Sequence, residues 1–69
     1  MRELIRKKVK GASHSATGFV LSQLPDFKSG QGFNCKVAWD AESLKEAESF
    51  SYKDLADEHS NDIELVTEE

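Results

Sequence analysis

Apolar and polar residues alternate with a period of two in the middle of the chain. Between residues 33 and 40 the larger apolar side chains fall on every second position, at Phe33, Cys35, Val37 and Trp39. Alternate side chains of a β-strand point to the same face. The pattern therefore predicts a strand with one buried and one solvated face. Cys35 is expected to be a small buried residue on the first of these faces.

Two segments earlier in the chain are also predicted to be strands. β-branched and aromatic residues over 17–24 indicate a strand in which Phe19 and Leu21 face one way and Val20 the other. Segment 4–9 is shorter, and its apolar positions fit a strand or a helix equally well.

The last third of the chain has two more short strand patterns. Segment 49–53 alternates so that Phe50 and Tyr52 would face inward. Segment 63–66 is the predicted last strand, and the turn-forming residues 60–62 precede it.

Helical character is confined to two short segments. Segment 41–48 has helix-forming residues, with Ser43 as a possible N-cap and Glu46 as its partner three positions later. Because it is short and Leu44 is its one large apolar residue, we expect a helical turn or a broad hairpin loop rather than a core helix. A second helical turn is expected over 54–58.

Together these elements predict a mainly β fold, a small five-stranded antiparallel sheet with one or two short helical turns. A long loop over 24–33 carries Pro25 and two glycines. Closure into a barrel would remove the exposed strand edges.

Length and composition narrow the class of protein. The 69 residues are enough for one domain, with residues 1–4 and 67–69 expected to fray. A single cysteine allows no internal disulfide, so a reducing, cytoplasmic setting is expected. No stretch is long and apolar enough for a membrane helix, and no apolar run follows the basic start as in a signal peptide.

Charge is distributed unevenly around the net value of -4. Residues 1–10 carry +4, residues 11–39 carry +1 and residues 40–69 carry -9. The basic segment is either a phosphate-binding arm or a counterpart that the acidic half neutralises across the fold.

The residues that carry chemistry form no recognisable catalytic or metal set. His14 and His59 both lie in polar turn segments, and no nucleophile–base pair or closely spaced ligand set accompanies them. We therefore expect no enzymatic activity, no metal and no cofactor.

The order of elements can be followed through residues 18–20, 37–40, 50–52, 54–55 and 63–66. In its pattern this order resembles an SH3-like small β-barrel of the Tudor or KOW kind, over roughly residues 5–66. The resemblance implies a domain that binds peptides, modified side chains or nucleic acid, or that holds a larger assembly together. Segment 41–48 is longer than a tight hairpin needs, and the aromatic residues are few for a methyl-lysine cage.

The first functional hypothesis is a non-catalytic interaction module that binds a protein partner through loop 24–33. Phe27 is either a plug for the core or a ring presented to the partner. Trp39 and Tyr52 are binding candidates that could instead complete the core. The acidic second half would steer basic partners, with Asp40 and Asp54 beside the aromatic residues.

The alternative hypothesis is nucleic-acid binding by the basic N-terminal segment. Its candidate residues are Arg2, Arg6, Lys7, Lys8 and Lys10. No aromatic residue interleaves with them in sequence, which weakens this signal. The expected oligomeric state is a monomer or a weak homodimer.

Overall fold

The computed structural model describes residues 3–13, 15–28 and 30–66. Its strands are β1 (Lys8–Gly11), β2 (Thr17–Pro25), β3 (Phe33–Trp39), β4 (Ala56–His59) and β5 (Ile63–Leu65). The remaining elements are one helix, α1 (Leu44–Glu48), and two 3₁₀ turns, η1 (Tyr52–Asp54) and η2 (Ser60–Asp62). The fraying predicted for residues 1–4 and 67–69 lies partly outside these ranges, since residues 1–2 and 67–69 are not described. Leu4, which is described, is buried.

All five strands form one antiparallel sheet in the order β4-β3-β2-β1-β5. The predicted mainly β class, with five antiparallel strands and short helical turns, is confirmed. The strands predicted over 17–24, 33–40 and 63–66 match β2, β3 and β5 to within a residue. The predicted turn over 60–62 is η2.

The sheet is curled, because a short turn joins its two edge strands. A flat sheet of five strands would hold its edges about 19 Å apart, which is four spacings of about 4.8 Å. The chain from His59 at the end of β4 to Ile63 at the start of β5 has four Cα steps and reaches at most about 15 Å. The two edges therefore approach each other beside η2.

The inner face of the sheet carries the larger of two apolar clusters. Phe33, Cys35 and Val37 are buried there, as the alternation predicted. Leu4 closes the cluster from outside the sheet, and its N–H donates to Gln23 Oε1 at 2.8 Å. The other members of this inner cluster are Val9, Val20 and Ile63, with Trp39 and Leu65 half-buried against it.

A second apolar cluster covers the outer face, and it corrects the prediction for β3. Ala38 was expected on a solvated face but is fully buried. Helix α1 lies over it, with Ala47 buried at the contact and Phe50 packed beside it. The predicted helical turn is present, and Ser43 Oγ accepts the Glu46 N–H at 3.1 Å as its N-cap. Five residues of helix thus protect a small core of alanines.

The fourth strand lies later in the chain than predicted. Segment 49–53 does not form a strand, because it leads into η1, where Tyr52 is 71% exposed rather than inward. The residues expected as a helical turn over 54–58 mostly form β4 instead. Its sequence has little strand preference, so pairing with β3 fixes its conformation.

A β-bulge in β2 separates the two halves of the β2–β3 hairpin. Val20 pairs with Val37 and Ser22 with Lys36, so Leu21 has no partner in β3. One extra residue reverses the alternation that follows. Strict alternation would place Leu24 on the same face as buried Val20, but Leu24 is 68% exposed.

Candidate functional site

Three large hydrophobic side chains are exposed in the part of the chain that the structure describes, namely Leu24, Phe27 and Tyr52. Leu24 and Tyr52 line one groove of about 200 Å³ with Pro25, Lys36 and Asp57. Phe27 lies in the β2–β3 loop (residues 26–32) that begins directly after Pro25. We use the name hairpin surface for Leu24, Pro25, Phe27, Lys36, Tyr52 and Asp57. Several exposed apolar side chains in one region mark a contact surface more often than a single exposed apolar side chain does.

Lys36 lies between the ring of Tyr52 and the carboxylate of Asp57. Its Nζ is 4.9 Å from the ring centroid and forms an ion pair with Asp57 Oδ1. The strand register creates this contact, because Lys36 and Asp57 are direct partners in β3 and β4. The hydrogen bond to Asp57 raises the pKa of Lys36 above its ordinary value, although partial desolvation opposes the shift. The groove therefore contains a charged ammonium at neutral pH.

The β2–β3 loop is fastened to the end of β4 by a histidine–aspartate contact. His59 Nε2 lies 3.1 Å from Asp26 Oδ2, and both side chains are mostly buried. The other ring nitrogen, Nδ1, accepts the Asn61 N–H at 3.2 Å. Since Nδ1 accepts, the proton of the neutral ring lies on Nε2, which donates to Asp26. His59, which was expected in a polar turn segment, is thus the last residue of β4 and is positioned by two contacts.

Further hydrogen bonds connect the described residues of the loop and its junction with β3. Asp26 Oδ1 accepts the Lys28 N–H at 3.1 Å, and the Asp26 carbonyl accepts the Gly30 N–H at 3.1 Å. Where the loop returns to β3, Ser60 Oγ accepts the Phe33 N–H at 3.2 Å. Phe27 projects from this fastened loop with 87% of its surface exposed. Phe27 is therefore not a plug for the core, and its contact with a partner stays a prediction.

The predicted aromatic pair Trp39 and Tyr52 is divided between the two faces of the sheet. Tyr52 lies over Lys36 on the outer face, whereas Trp39 is half-buried against the inner cluster. Trp39 Nε1 donates to Glu58 Oε2 at 3.1 Å, so its polar group already has a partner within the fold. Trp39 thus contributes mainly to the core.

The two acidic site candidates occupy different places. Asp54 is exposed in η1, two residues after Tyr52. Asp40 is exposed in the turn after β3, with a positive φ of 66° and its N–H donated to the Thr17 carbonyl at 2.9 Å. Asp40 follows Phe33, the first residue of β3, by seven positions, and at a rise of about 3.3 Å per residue it lies about 23 Å along the strand from the end of the β2–β3 loop. Asp54 therefore belongs near the hairpin surface and Asp40 does not.

The basic segment is partly neutralised by the acidic half. Arg6 Nε lies 3.6 Å from Glu48 Oε2, and Lys10 Nζ lies 3.9 Å from Glu64 Oε1. These four side chains are well exposed, so each pair adds little to stability. The candidate residue Arg2 lies outside the described residues.

Lys7 and Lys8 line a second, wider groove of about 490 Å³. Phe19 contributes to its wall, and Lys8 is the direct partner of Phe19 in the β1–β2 ladder. Glu42, Leu65 and Val66 complete the wall. The fold thus brings an aromatic ring to the basic segment, although the sequence around these lysines contains none.

Sequence reasoning missed Leu24, Lys36, Asp57 and the Asp26–His59 contact. No local signal marks the bulge that exposes Leu24, and the Lys36–Asp57 pair depends on a strand whose position was predicted wrongly. Within residues 3–13, 15–28 and 30–66, no cluster of three or more possible ligands could hold a metal ion. His14 is outside these ranges. None of the helices described there is long and apolar enough to cross a membrane.

Comparisons with models of protein families, with curated proteins and with solved structures find no match to this chain. The hairpin surface and the Lys7–Lys8 groove are therefore interpreted from their own geometry.

Proposed function

We propose that this protein is a non-catalytic interaction module that binds a protein partner through segment 24–33 and the neighbouring ring of Tyr52. The observation that carries this proposal is the exposure of Leu24, Phe27 and Tyr52, at 68%, 87% and 71%. Exposing three large apolar side chains in so small a fold brings no gain in stability. Burying them against a partner would supply the free energy of association.

Fixed geometry strengthens this proposal. Binding costs less when a contact residue is already held in its bound position. The Asp26–His59 contact and the hydrogen bond from Phe33 to Ser60 fasten both ends of the β2–β3 loop before any partner arrives. The ring of Phe27 would then need little ordering when a partner binds. Large aromatic residues are enriched among those that dominate binding energies, although these residues are mostly Trp, Tyr and Arg.

Two features of the fold support an SH3-like arrangement as part of the proposal. The first strand pairs with the last, and a 3₁₀ turn joins β4 to β5 in a curled sheet. Domains of that kind commonly act as binding modules rather than as enzymes. A cytoplasmic setting also belongs to the proposal and rests on the single buried cysteine, Cys35.

Quantitative affinity capture with three forms of the protein tests the proposal. The forms are wild type, Phe27→Ala, and Phe27→Tyr as the matched control that keeps a ring. We expect wild type and Phe27→Tyr to capture the same set of proteins. The captured amount of these proteins should be at least tenfold lower with Phe27→Ala. Identical capture by all three forms would remove the loop from the proposal.

Nucleic-acid binding is the second candidate, and the position of Phe19 beside Lys7 and Lys8 is the observation that favours it. Stacking on a ring next to two ammonium groups suits single-stranded nucleic acid. The ion pairs of Arg6 and Lys10 and the presence of Glu42 reduce the positive potential there. Gel shifts at increasing salt, with Lys7→Glu combined with Lys8→Glu, test this candidate. Absence of any shift at low salt would end it.

A further inference from the structure

The groove of the hairpin surface already holds a cation, and that cation belongs to the protein itself. Lys36 Nζ lies 4.9 Å from the centre of the Tyr52 ring and pairs with Asp57 Oδ1. An aromatic face next to a carboxylate is an arrangement that attracts ammonium and guanidinium groups. Lys36 therefore shows which kind of chemical group the groove can accommodate.

Much of this cation-binding arrangement is still open to solvent. The side chain of Asp57 is 79% exposed, whereas that of Lys36 is only 24% exposed. Tyr52 is 71% exposed as well. The stem of Lys36 is thus mostly covered, while the ring and the carboxylate that its ammonium contacts can be reached from outside.

The remaining walls suit the stem of a long basic side chain. Leu24 and Pro25 form an apolar wall, and Ser22 and Asn34 supply neutral polar groups. The groove of about 200 Å³ is smaller than the roughly 300–1,000 Å³ of sites for drug-sized molecules. Its size fits one side chain of a larger partner.

We propose that the groove receives an arginine or lysine side chain from the protein partner, and that Lys36 is a built-in competitor for this position. The inference rests on the proposed function and deepens it by naming the chemistry of the partner. Arginine is the better fit, because its flat guanidinium can stack on Tyr52 while it pairs with the Asp57 carboxylate. Binding then requires Lys36 to give up its ring contact and its ion pair.

The charge of the chain favours a basic partner at this surface. Residues 40–69, which include Tyr52 and Asp57, carry a net charge of -9. Lys36 is the basic residue among the described residues that line the groove. Removing its charge leaves Asp57 without its cation and the Tyr52 ring without its cover. A competing cation should therefore bind more tightly to the variant than to wild type.

A titration followed by amide chemical shifts of the protein tests this competition. The probe is a capped tripeptide, leucine-arginine-leucine, and its control replaces arginine by citrulline, which has nearly the same shape without the charge. The proteins compared are wild type, Lys36→Met and Lys36→Met combined with Tyr52→Ala. Spectra without peptide establish that each variant is folded.

We expect Lys36→Met to bind the arginine peptide about three- to tenfold more tightly than wild type, in line with the strength of single cation–π and ion-pair contacts. Shifts should centre on Leu24, Tyr52 and Asp57, and adding Tyr52→Ala should reverse the gain. The citrulline peptide should bind all three proteins with equal weakness.

Unchanged or weaker binding by Lys36→Met overturns the inference, and so does equal binding of the citrulline peptide. Either result leaves the proposed function intact if capture of partners still depends on Phe27. The opposite combination is tighter binding of the arginine peptide by Lys36→Met together with capture that does not depend on Phe27. It would contradict the proposed function and support the groove as a cation site.

Discussion

His59 Nε2 and Asp26 Oδ2 lie 3.1 Å apart although 33 residues separate them in sequence. This contact joins the end of edge strand β4 to the start of the β2–β3 loop. The same imidazole caps η2 through Asn61 N–H. One ring therefore links the turn that curls the sheet to the loop that presents Phe27.

Replacing this ring by one that cannot hydrogen-bond should loosen both elements. His59→Phe removes the contacts to Asp26 and Asn61, each worth about 0.5–1.5 kcal/mol. We expect a loss of about 1–3 kcal/mol in the free energy of unfolding, measured by urea denaturation. Backbone relaxation by nuclear magnetic resonance should show greater motion at Phe27.

The control for this substitution is Asn34→Ala, since Asn34 pairs with His59 across the sheet but is exposed. Asn34→Ala should lower the free energy of unfolding by less than half as much as His59→Phe, and it should leave the motion of Phe27 unchanged. Equal losses in the two variants would show that the ring acts only through strand pairing.

Gly30 and Gly32 form a matched pair for testing how tightly the loop is packed. Both have positive φ, 74° and 72°. A Cβ at Gly30 would meet nothing within 4 Å, whereas at Gly32 it would lie 2.6 Å from Ser60 Oγ and 2.8 Å from His59 Cε1. Ser60 Oγ cannot move freely, because it accepts the Phe33 N–H.

Alanine at these two positions should therefore destabilise the protein by different amounts. Gly30→Ala should cost about 1–2 kcal/mol for the left-handed backbone alone. Gly32→Ala should cost this amount and about 1–3 kcal/mol more for the steric clash. Thermal unfolding of both variants measures the difference, and indistinguishable midpoints would mean that the loop does not pack against His59 and Ser60.

The sheet was predictable where side-chain alternation is strong and unbroken. Segment 33–40 alternates over eight positions and is a strand in the structure, whereas the alternation over 49–53 is shorter and that segment leads into η1. Strand β4 was missed because Ala56–His59 has no apolar alternation, and its conformation comes from pairing with β3. The burial of Ala38 was missed for a related reason, since a small residue carries no sign that a helix covers it.

Close packing between α1 and the sheet gives the third prediction. Ala47 and Ala38 are both fully buried at this contact, which leaves no space for larger side chains. Ala47→Leu should displace the helix and destabilise the protein by about 1–3 kcal/mol. Urea denaturation checks this, with Lys45→Leu as the control because Lys45 is exposed on the same helix.

Lys45→Leu should change stability by less than about 0.5 kcal/mol. If Ala47→Leu were equally mild, the outer cluster would be loosely packed, and α1 would be only a surface turn.

The candidate site was less predictable than the fold, because it depends on contacts between distant segments. Phe27 was identified from its position in a loop, and Tyr52 from its ring. The bulge at Leu21, which turns Leu24 outward, has no signature in the surrounding sequence. The partnership of Lys36 with Asp57 follows from the β3–β4 register and could not be derived before β4 was located.

The last prediction concerns stability in alkaline solution and depends on Lys36. Its pKa is raised above the ordinary 10.5, chiefly by the hydrogen bond to Asp57. A raised lysine pKa means that the folded state holds this proton more firmly than the unfolded state. The resulting stabilisation is complete below pH 10.5 and disappears as the pH rises through the higher pKa of the folded state.

Unfolding of wild type and Lys36→Met should therefore be compared between pH 7 and pH 11.5. Making both in the Tyr52→Phe background removes the phenol beside the ammonium, so that the change in stability reports on Lys36. We expect a constant stability difference up to about pH 10 that narrows above it, because only the protein with Lys36 has this ammonium to lose. A difference that stays constant through pH 11.5 would show that Asp57 does not hold the Lys36 proton in the folded state.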